Sequence, residues 1–494
     1  MRTRLVSISF LLLIFGLPLG QAGWELSRGE AVQALDVFES LRGGHLRTFE
    51  DELRESSIVH RVVSPYYQWA LLSIGKGNEK AILGDDGWIF YRDDLDLITA
   101  PGFLQDREWT PVDAAVDMRD QLARRGIELL FVPVPAKTMV EPRHLSRWTA
   151  ELPAASNSDG AAFLRELREQ GVNTVDLTAL FARVREGHAP LYMPRDTHWT
   201  PETMAHAARE IAAKARQILA DGGRELSPGA SLETRPHTVD SPGDMIGMLR
   251  LPSAAAPFDP MHMQIEQVVA AESGDFISFD TSAQILLIGD SFTGVFSDAR
   301  FGLGEHAGLG EHLALELGAP VDVIMSAGGA ARSVRESLAR RTRGVSNKLL
   351  VIWQIAQREL VETDGRWDSV DLSSAGSAED PGATSLPDGT KVLAEIVKVS
   401  RVPEGFEYDF CLAIYEYRVL EALSGGVQDG PLWVAHVAID SFEPRPGGAY
   451  AIGERHVLQL EDIAVHHDLE STSFIDDTDS GRRIWFATAI EAAD

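Results

Sequence analysis

Cysteine is almost absent from this sequence of 494 residues. Because Cys411 stands alone, no disulfide can form within the chain and one copy cannot build a thiolate metal cluster. Basic residues are also scarce beside acidic ones: 45 Lys and Arg face 74 Asp and Glu, a formal net charge of −29. This field repels a phosphate backbone at long range, so nucleic acid is not an expected partner.

Long apolar runs of transmembrane length are not evident either. The N-terminal run Leu5–Leu17, which follows Arg2 and Arg4, is shorter than the roughly 18 residues expected of a spanning helix. A basic start, a short apolar run and the small residues Gly20 and Ala22 are typical of a signal peptide, and we expect cleavage after Ala22. The alternative is an uncleaved membrane anchor. Both place the protein outside the cytoplasm, in the periplasm or secreted.

The rest of the composition is that of a folded protein, with 44% hydrophobic and 24% charged residues. Between about residues 80 and 360, short apolar runs alternate with helical patterns, which predicts an α/β domain with a central parallel sheet. The predicted strands lie at 126–132, 285–288, 321–325 and 349–353, and the predicted helices include 112–125 and 201–219.

Changes in composition divide the chain into four parts. We predict a signal peptide over residues 1–22, the α/β domain over 23–366, a linker over 367–390 and a small all-β domain over 391–494, either an OB-like barrel or a sandwich. Residues 361–494 hold 26 acids and 9 bases, so −17 of the net charge lies there. The tail is therefore expected to bind a neutral glycan, a cationic protein or nothing, rather than an anionic polymer.

One segment combines an apolar strand with a reactive side chain. The strand at 285–288 runs directly into Gly289, Asp290 and Ser291. This places Ser291 at the carboxyl edge of a parallel sheet, where open α/β sheets form their sites and backbone N–H groups face a developing oxyanion. Ser291 is thus a candidate nucleophile that needs a base.

A candidate base lies earlier in the chain. Asp196 and His198 are two residues apart and would point the same way from an extended backbone. His198 would take the hydroxyl proton of Ser291, and Asp196 would orient the imidazole, as in a Ser-His-Asp triad. The alternative is a structural turn at Gly289–Ser291 together with an N-terminal helix boundary at Trp199–Pro201.

Several stretches together resemble the SGNH-hydrolase-like family of alginate O-acetyltransferases (AlgX/AlgJ-like). They occur in the family's order over about residues 80–360, and the C-terminal domain is not matched. The stretches are 84–91, 132–137, 195–199, 243–245, 289–291 and 353–360.

The resemblance implies a flavodoxin-like three-layer SGNH fold and transfer of acetyl groups to hydroxyls of an exported polysaccharide. It assigns Ser291 as the nucleophile, His198 as the general base and Asp196 as its orienting acid. Its implied partners are a polysaccharide acceptor and a membrane acyltransferase that delivers the acetyl donor. The chain departs from the family in having a single cysteine and an unmatched tail. The alternatives are a carbohydrate acetyl esterase with the same triad, or a non-catalytic polysaccharide-binding or assembly protein.

Four further residues are binding candidates. Gly328 and Gly329 follow the strand at 321–325, where a glycine lets a backbone N–H approach a substrate oxygen, although a Gly-rich turn without a ligand is equally compatible with them. Lys137 and Arg358 follow apolar strands and are positioned to hold a sugar or an anionic group. The alternative for both is a helix cap or an ion pair, for example with Glu359.

No cofactor or metal is expected. Polar clusters at Glu305–His306, Glu311–His312 and His466–Asp468 lack the spacing of a zinc motif. The glycines at 302–304 and 308–310 lack the strand and spacing of a dinucleotide-binding loop.

Overall fold

A computed structural model supplies the fold. It describes the following residues: 15–27, 32, 57–100, 102–104, 109–185, 189–252, 257–341, 345–363, 365–373, 389–400, 402, 410–425, 431–440, 443–463, 466, 469, 473–475, 478 and 484–493. The predicted signal peptide and the predicted linker therefore lie largely outside the described residues, and the domain boundaries at 22, 366 and 390 stay predictions. Two compact units form: Met1–Leu83 with Met245–Asp259, and Gly84–Asp244 with Pro260–Asp494.

The elements are numbered along the chain. The α-helices are α1 Leu17–Ser27, α2 Ile58–Ser73, α3 Arg92–Thr99, α4 Pro111–Ala123, α5 Lys137–Val140, α6 Gly160–Glu169, α7 Leu177–Val184, α8 Pro201–Asp221, α9 Asp244–Met248, α10 Ser291–Gly294, α11 Leu309–Leu317 and α12 Ser333–Arg340. Short 3-10 helices span Asp85–Gly87, Pro142–His144, Ala299–Phe301, Gln357–Val361 and Pro446–Gly448. Among the described residues, no helix has both the length and the apolar character needed to cross a bilayer.

The strands are β1 Ala81–Leu83, β2 Ile89–Tyr91, β3 Glu128–Val134, β4 Asn173–Thr174, β5 Leu232–Ser241, β6 Met261–Ala270, β7 Ile285–Gly289, β8 Val321–Met325, β9 Leu350–Ala356, β10 Thr390–Lys398, β11 Phe410–Ser424, β12 Pro431–Asp440, β13 Glu443–Pro444, β14 Arg455–Asp462, β15 Ser473–Ile475 and β16 Trp485–Ala493.

A parallel sheet is the centre of the α/β domain. Its order is β4-β3-β9-β7-β8, and every neighbouring pair is parallel. All residues of β7 and β9 are buried, and because successive side chains point to opposite faces, both faces of the sheet are covered. One face packs on α4, α6 and α12. The predicted α/β class with a central parallel sheet is confirmed.

Helix α8 shows how local sequence sets an element boundary. Thr200 caps it, its Oγ1 accepting the Thr203 backbone N–H at 3.2 Å, and Pro201 occupies the first turn, where a missing N–H costs nothing. Met204, Ala207, Ala208 and Ile211 are buried along one stripe. The predicted start and buried stripe are both present, and the helix extends two residues beyond the predicted end, to Asp221.

Strands β5 and β6 form an antiparallel pair that sequence reasoning missed. Most of β5 is exposed, and it contains Pro236 among charged and polar residues. An exposed strand has no buried face and hence no alternation of apolar residues for a pattern to detect.

The C-terminal domain is a closed five-stranded barrel. Its strands follow the order β12-β16-β14-β10-β11, and pairing of β11 with β12 closes it. Neighbouring strands are antiparallel except β12 and β16, which are parallel. This closed arrangement of five strands is that of an OB-like barrel, which decides between the predicted barrel and sandwich. Cys411 lies buried in its core, as expected of a small apolar residue.

A buried ion cluster joins β8 to the segments that follow α12. The Asp322 carboxylate lies 2.7 Å from the Arg341 guanidinium and 2.8 Å from Lys348 Nζ, and all three side chains are buried. We expect Asp322→Ala to lower the free energy of unfolding by about 3–5 kcal/mol, because it leaves two buried cations without their counter-charge. Urea unfolding measures this. The control Asp120→Ala removes an exposed pair with Arg119 and should change the value by less than about 1 kcal/mol; equal effects would contradict the assigned role of the cluster.

Candidate active site

Ser291 stands at the carboxyl edge of the sheet. Buried strand β7 ends at Gly289, and Asp290 caps α10, its Oδ1 accepting the Phe292 backbone N–H at 2.9 Å. Ser291 is therefore the first residue of a tight turn after a strand, as the sequence predicts. Its residue exposure is 7%, so its hydroxyl lies in a largely water-excluded position.

Asp196 and His198 lie on a turn rather than on the extended backbone that their spacing suggested. The turn is closed by the Met193 N–H, which donates to the His198 carbonyl at 3.1 Å, and by a bridge between Tyr192 and Trp199. Within it the His198 backbone N–H donates to Asp196 Oδ1 at 3.0 Å. Asp196 thus binds the residue two positions on through a local side-chain-to-backbone hydrogen bond, which favours a turn over a strand.

The three predicted catalytic side chains meet in a hydrogen-bonded chain. Asp196 Oδ1 lies 2.6 Å from His198 Nδ1, and His198 Nε2 lies 2.8 Å from Ser291 Oγ. The ionised carboxylate can only accept, so Nδ1 carries the proton and Nε2 is left to accept from the serine hydroxyl. Both distances fall in the range that general-base catalysis requires.

The electrostatics of the chain support a basic imidazole. Burial lowers the pKa of His198, but the hydrogen bond and charge of Asp196, with the charge of Asp244, raise it by more, so its pKa lies above the ordinary 6.5. Burial also opposes ionisation of Asp196, yet hydrogen bonds from His198 and the Asp244 backbone hold its pKa below 3.8. The arrangement favours an ionised acid beside a readily protonated base.

Asp244 clamps this turn from a distant part of the sequence. Its backbone N–H donates to Asp196 Oδ2 at 3.0 Å, and its carboxylate accepts the Thr197 N–H at 2.9 Å and the Thr197 hydroxyl at 2.5 Å. Asp244 Oδ2 also lies 3.7 Å from His198 Nδ1. Burial and the charge of Asp196 raise the pKa of Asp244 to about 6.

A glycine makes the clamp possible. Gly243 has φ +87°, and a Cβ there would lie 2.1 Å from the Arg195 carbonyl oxygen. Only glycine lets the backbone come this close in that conformation. Sequence reasoning noted the stretch 243–245 as family-like but gave Asp244 no role, because forty-eight residues separate it from Asp196.

Asp290 and Gln354 hold the strand end that carries Ser291. Asp290 Oδ1 accepts from Gln354 Nε2 at 2.8 Å, its Oδ2 accepts the Ala356 N–H at 2.7 Å, and its own N–H donates to Gln354 Oε1 at 3.1 Å. The Thr293 hydroxyl donates to the same oxygen at 2.8 Å. Sequence reasoning missed this network, since Gln354 lies within a strand that reads as apolar core.

Lys137 is not placed as a ligand-binding side chain. Its residue exposure is 0%, and Nζ donates to the carbonyls of Ile89, Pro194 and Asp196 at 2.7, 2.8 and 2.9 Å. These three bonds use every hydrogen of the ammonium group, so none is left for a sugar or an anion. Burial lowers its pKa to about 8. The structure therefore corrects the predicted contact: Lys137 holds the turn that carries Asp196.

Arg358 lies against Phe292, the residue that follows the candidate nucleophile. Its guanidinium donates to the buried carboxylate of Asp94 at 3.3 Å and lies over the rings of Tyr91 and Phe292, 5.5 and 5.6 Å from their centroids. Burial lowers the pKa of Arg358, but the negative charges of Asp94 and Asp290 raise it by more than burial lowers it. The guanidinium therefore stays cationic. The ion-pair partner is Asp94, and Glu359 pairs with Arg366 instead. Its side chain is 14% exposed, so its role as a binding residue stays a prediction.

Gly328 and Gly329 form the turn after β8. Gly328 is exposed with φ +69°, whereas Gly329 is buried and its N–H donates to the Ser326 carbonyl at 3.0 Å. That bond uses the Gly329 N–H within the turn, and the oxyanion role of Gly328 stays a prediction. The turn begins beside the strand that carries Ser291, because the Ser326 N–H donates to the Gly289 carbonyl at 3.0 Å.

The clusters set aside as metal sites have other contacts where the structure describes them. The His306 ring stacks on Phe276 with centroids 4.0 Å apart, and His312 Nε2 lies 3.0 Å from the Glu266 carbonyl. His467 and Asp468 lie outside the described residues. Asp196, His198 and Asp244 have ligand atoms within 4.8 Å of one another, but both ring nitrogens of His198 already take part in the hydrogen-bonded chain.

Comparison with known proteins identifies the family of the chain. The family described as "SGNH hydrolase-like domain, acetyltransferase AlgX" matches residues 81–357, more than half of the chain. The protein belongs to this family. The match contains Asp196, His198 and Ser291 as well as the parallel sheet.

Curated relatives of the chain include two proteins of Pseudomonas aeruginosa. "Probable alginate O-acetylase AlgJ" is 26% identical over 270 residues, which are 54% of this chain and 66% of AlgJ, just under two thirds of its length. "Alginate biosynthesis protein AlgX" is 28% identical over 221 residues, 43% of this chain and 44% of AlgX. A solved structure, the O-acetyltransferase domain of Pseudomonas putida AlgJ, covers 61% of this chain and 95% of its own, with 22% identity and a TM-score of 0.43.

The raised pKa of His198 predicts the pH dependence of Ser291 reactivity. The neutral imidazole is the base, so the rate of sulfonylation of Ser291 by a sulfonyl fluoride should rise with pH through a midpoint above 6.5. Asp244→Asn removes a negative charge 3.7 Å from the ring and should move this midpoint to lower pH. Mass spectrometry of the adduct gives the rate. Asp221→Asn, an exposed change of equal charge, should leave the midpoint in place, and an equal midpoint in all three proteins would contradict the electrostatic role of Asp244.

The role of Lys137 in holding the turn of Asp196 predicts that its loss slows the sulfonylation of Ser291. Lys137→Met keeps the bulk of the side chain but leaves three carbonyls without a donor, so the turn bearing Asp196 should shift and sulfonylation should slow about tenfold or more. Lys214→Met, on the surface of α8, is the matched control and should react at the wild-type rate. A Lys137→Met protein that is folded by circular dichroism and reacts normally would rule out the positioning role.

Proposed function

We propose that this protein is an exported serine-dependent O-acetyltransferase that modifies hydroxyl groups of a polysaccharide through an acetyl-Ser291 intermediate. The observation that carries the proposal is the unbroken hydrogen-bonded chain from Asp196 through His198 to Ser291, at 2.6 and 2.8 Å. Membership of an acetyltransferase family and relatives named as alginate O-acetylases support the reaction and the class of acceptor. An alginate-like exopolysaccharide is the proposed acceptor.

The first half of the reaction loads the enzyme. Ser291 Oγ attacks the carbonyl carbon of an acetyl donor while His198 Nε2 takes the hydroxyl proton, and Asp196 stabilises the resulting imidazolium. The tetrahedral intermediate then collapses, the bond to the donor's leaving group breaks, and the imidazolium returns the proton to that group. Gly328 is the proposed donor of a backbone N–H to the oxyanion. A membrane acyltransferase is the proposed source of the donor.

The second half transfers the acetyl group. A sugar hydroxyl loses its proton to His198 Nε2 as its oxygen attacks the acetyl carbonyl, and the Ser291 oxygen leaves with the proton that His198 returns. If water takes the place of the sugar, the same residues give an acetyl esterase. The low exposure of Ser291 favours an acceptor that excludes water as it binds, and the name of the family also favours transfer.

The intact hydrogen-bonded chain also argues against a non-catalytic binding protein. Two buried ionisable groups aimed at a buried hydroxyl are costly to maintain, and their order of carboxylate, imidazole and hydroxyl is the one that catalysis requires. We further propose a periplasmic or secreted location, with residues 1–22 acting as a signal peptide or as an uncleaved anchor.

Turnover of a chromogenic acetyl ester, alone and with a panel of oligosaccharides, tests the proposal. Ser291→Ala and His198→Ala should each lose about 1000-fold or more in turnover, because each breaks the chain at a reacting atom. The exposed Ser282→Ala is the matched control and should retain activity. Mass spectrometry of the quenched reaction should place an added acetyl group on the peptide that contains Ser291.

The products separate the alternatives. Acetylated oligosaccharide indicates a transferase, and free acetate formed at the same rate with or without oligosaccharide indicates an esterase. Full activity of Ser291→Ala would show that another group is the nucleophile. Absence of all turnover and of any acetyl adduct would support the binding protein.

A further inference from the structure

Helix α2, Ile58–Ser73, carries a row of large apolar side chains on its outer face. We call this row, with Ile74 just beyond the helix, the outer stripe. Its members and their residue exposures are Val62 58%, Val63 53%, Tyr66 64%, Tyr67 63%, Trp69 47% and Ile74 68%. We propose that the outer stripe docks the protein on the surface of a phospholipid membrane.

The stripe lies on a single face of the helix. At 100° per residue, positions 62, 63, 66, 67 and 69 fall within less than half of the helix circumference, and Ile74 continues the row. On the opposite side Gln68 is buried, and Leu71 and Leu72 are half-buried. A surface helix of a soluble protein normally turns its polar side outward, so a row of exposed, large apolar side chains on α2 marks an interaction surface.

Its aromatic composition favours a bilayer as the occupant. Tyr66, Tyr67 and Trp69 occupy one turn and bring apolar rings together with a hydroxyl or an indole N–H at the rim. Such side chains concentrate at the boundary between lipid tails and headgroups, where the ring meets the apolar layer and the polar atom stays hydrated.

The charge of the segment is also suited to a bilayer surface. From Ile58 to Asn78 there is no Asp or Glu, whereas His60, Arg61 and Lys76 are present, in a chain with 74 acidic residues and a net charge of −29. The acidic chain as a whole is repelled by anionic headgroups, and a segment free of acids is one that can approach them. Nearby basic residues add attraction.

Neighbouring α1 enlarges the apolar surface of the same compact unit. Leu17, Leu19 and Leu26 are exposed on it by 42, 71 and 65%. The Ile58 N–H donates to Gln21 Oε1 at 2.9 Å, which joins the start of α2 to α1. Cleavage after Ala22 would remove Leu17, Leu19 and Gln21, but the outer stripe lies beyond residue 22 and would remain in the chain. The inference does not depend on the proposed chemistry.

An apolar N-terminal segment can by itself hold a protein on vesicles, so binding of the whole chain to vesicles would not identify the stripe as the contact. The test therefore measures the local environment of the stripe. Val63→Cys and Tyr67→Cys are labelled with the fluorophore NBD in the full chain; Cys411 is fully buried and does not compete for the label. Ala213→Cys, exposed on α8, is the matched control. Vesicles of phosphatidylethanolamine and phosphatidylglycerol are then added.

Membrane docking predicts that emission at positions 63 and 67 shifts to the blue and increases at least threefold, while position 213 does not respond. An unresponsive label at positions 63 and 67 would overturn the proposal. So would blue-shifted emission at these positions before vesicles are added, since it would mean that the stripe is already covered by protein.

A second variant separates docking from a general effect on folding. The second variant combines the label at position 63 with Tyr66→Ser, Tyr67→Ser and Trp69→Ser. Its apparent affinity for vesicles, measured from the fluorescence response, should fall at least tenfold, while Ser291 is sulfonylated at the wild-type rate. If the triple variant responds as strongly as the parent, the aromatic stripe is not the docking element and the proposal fails.

Discussion

The site depends on keeping the Asp196 carboxylate ionised away from water. A buried charge is costly unless hydrogen bonds replace its hydration. Here Oδ1 accepts from the backbone and the ring of His198, and Oδ2 accepts the backbone N–H of Asp244. Because the same bonds fix the turn and the imidazole tautomer, stabilising the charge also aims Nε2 at Ser291.

The sheet order supplies the second half of this geometry. Strand β9 lies between β3 and β7, and each neighbour serves the site from its carboxyl end. The segment after β3 contributes Lys137, which holds the turn of Asp196, while β7 leads into Ser291 and β9 contributes Gln354, which fixes Asp290. Side chains that are far apart in the chain therefore meet because parallel strands present their carboxyl ends at one edge.

The two proposals are compatible but separate. Acetyl transfer needs an activated donor, and a donor made at a membrane reaches an enzyme more readily when the enzyme stays at that surface. The outer stripe of α2 would provide such retention without a spanning helix, while residues 361–494, which include the barrel, carry −17 of the net charge of −29 and oppose nonspecific contact with anionic surfaces. The proposed acetyl transfer and the proposed membrane docking thus depend on different residues, and each can be tested without the other.

The fold class, four of the five strands of the parallel sheet and the catalytic candidates were predictable from the sequence, because buried strands are continuous apolar runs and because Gly-Asp-Ser after such a run marks a sheet edge. The two-residue strand β4, Asn173–Thr174, is too short to form such a run. The cap and start of α8 were equally predictable, since Thr200 and Pro201 determine the start of the helix through backbone groups only a few residues away. Local patterns contain this information because the interactions behind them span only a few residues.

Only the tertiary structure decided what distant residues do. Lys137 was expected to bind a ligand, yet it is buried against three carbonyls, and Asp244 became the partner of a turn almost fifty residues away. A charged side chain looks the same in a sequence whether it meets solvent, substrate or backbone. Its role is set by burial and by which oxygen atoms the folded chain brings within hydrogen-bond distance, and both are properties of the packed sheet edge rather than of the residue.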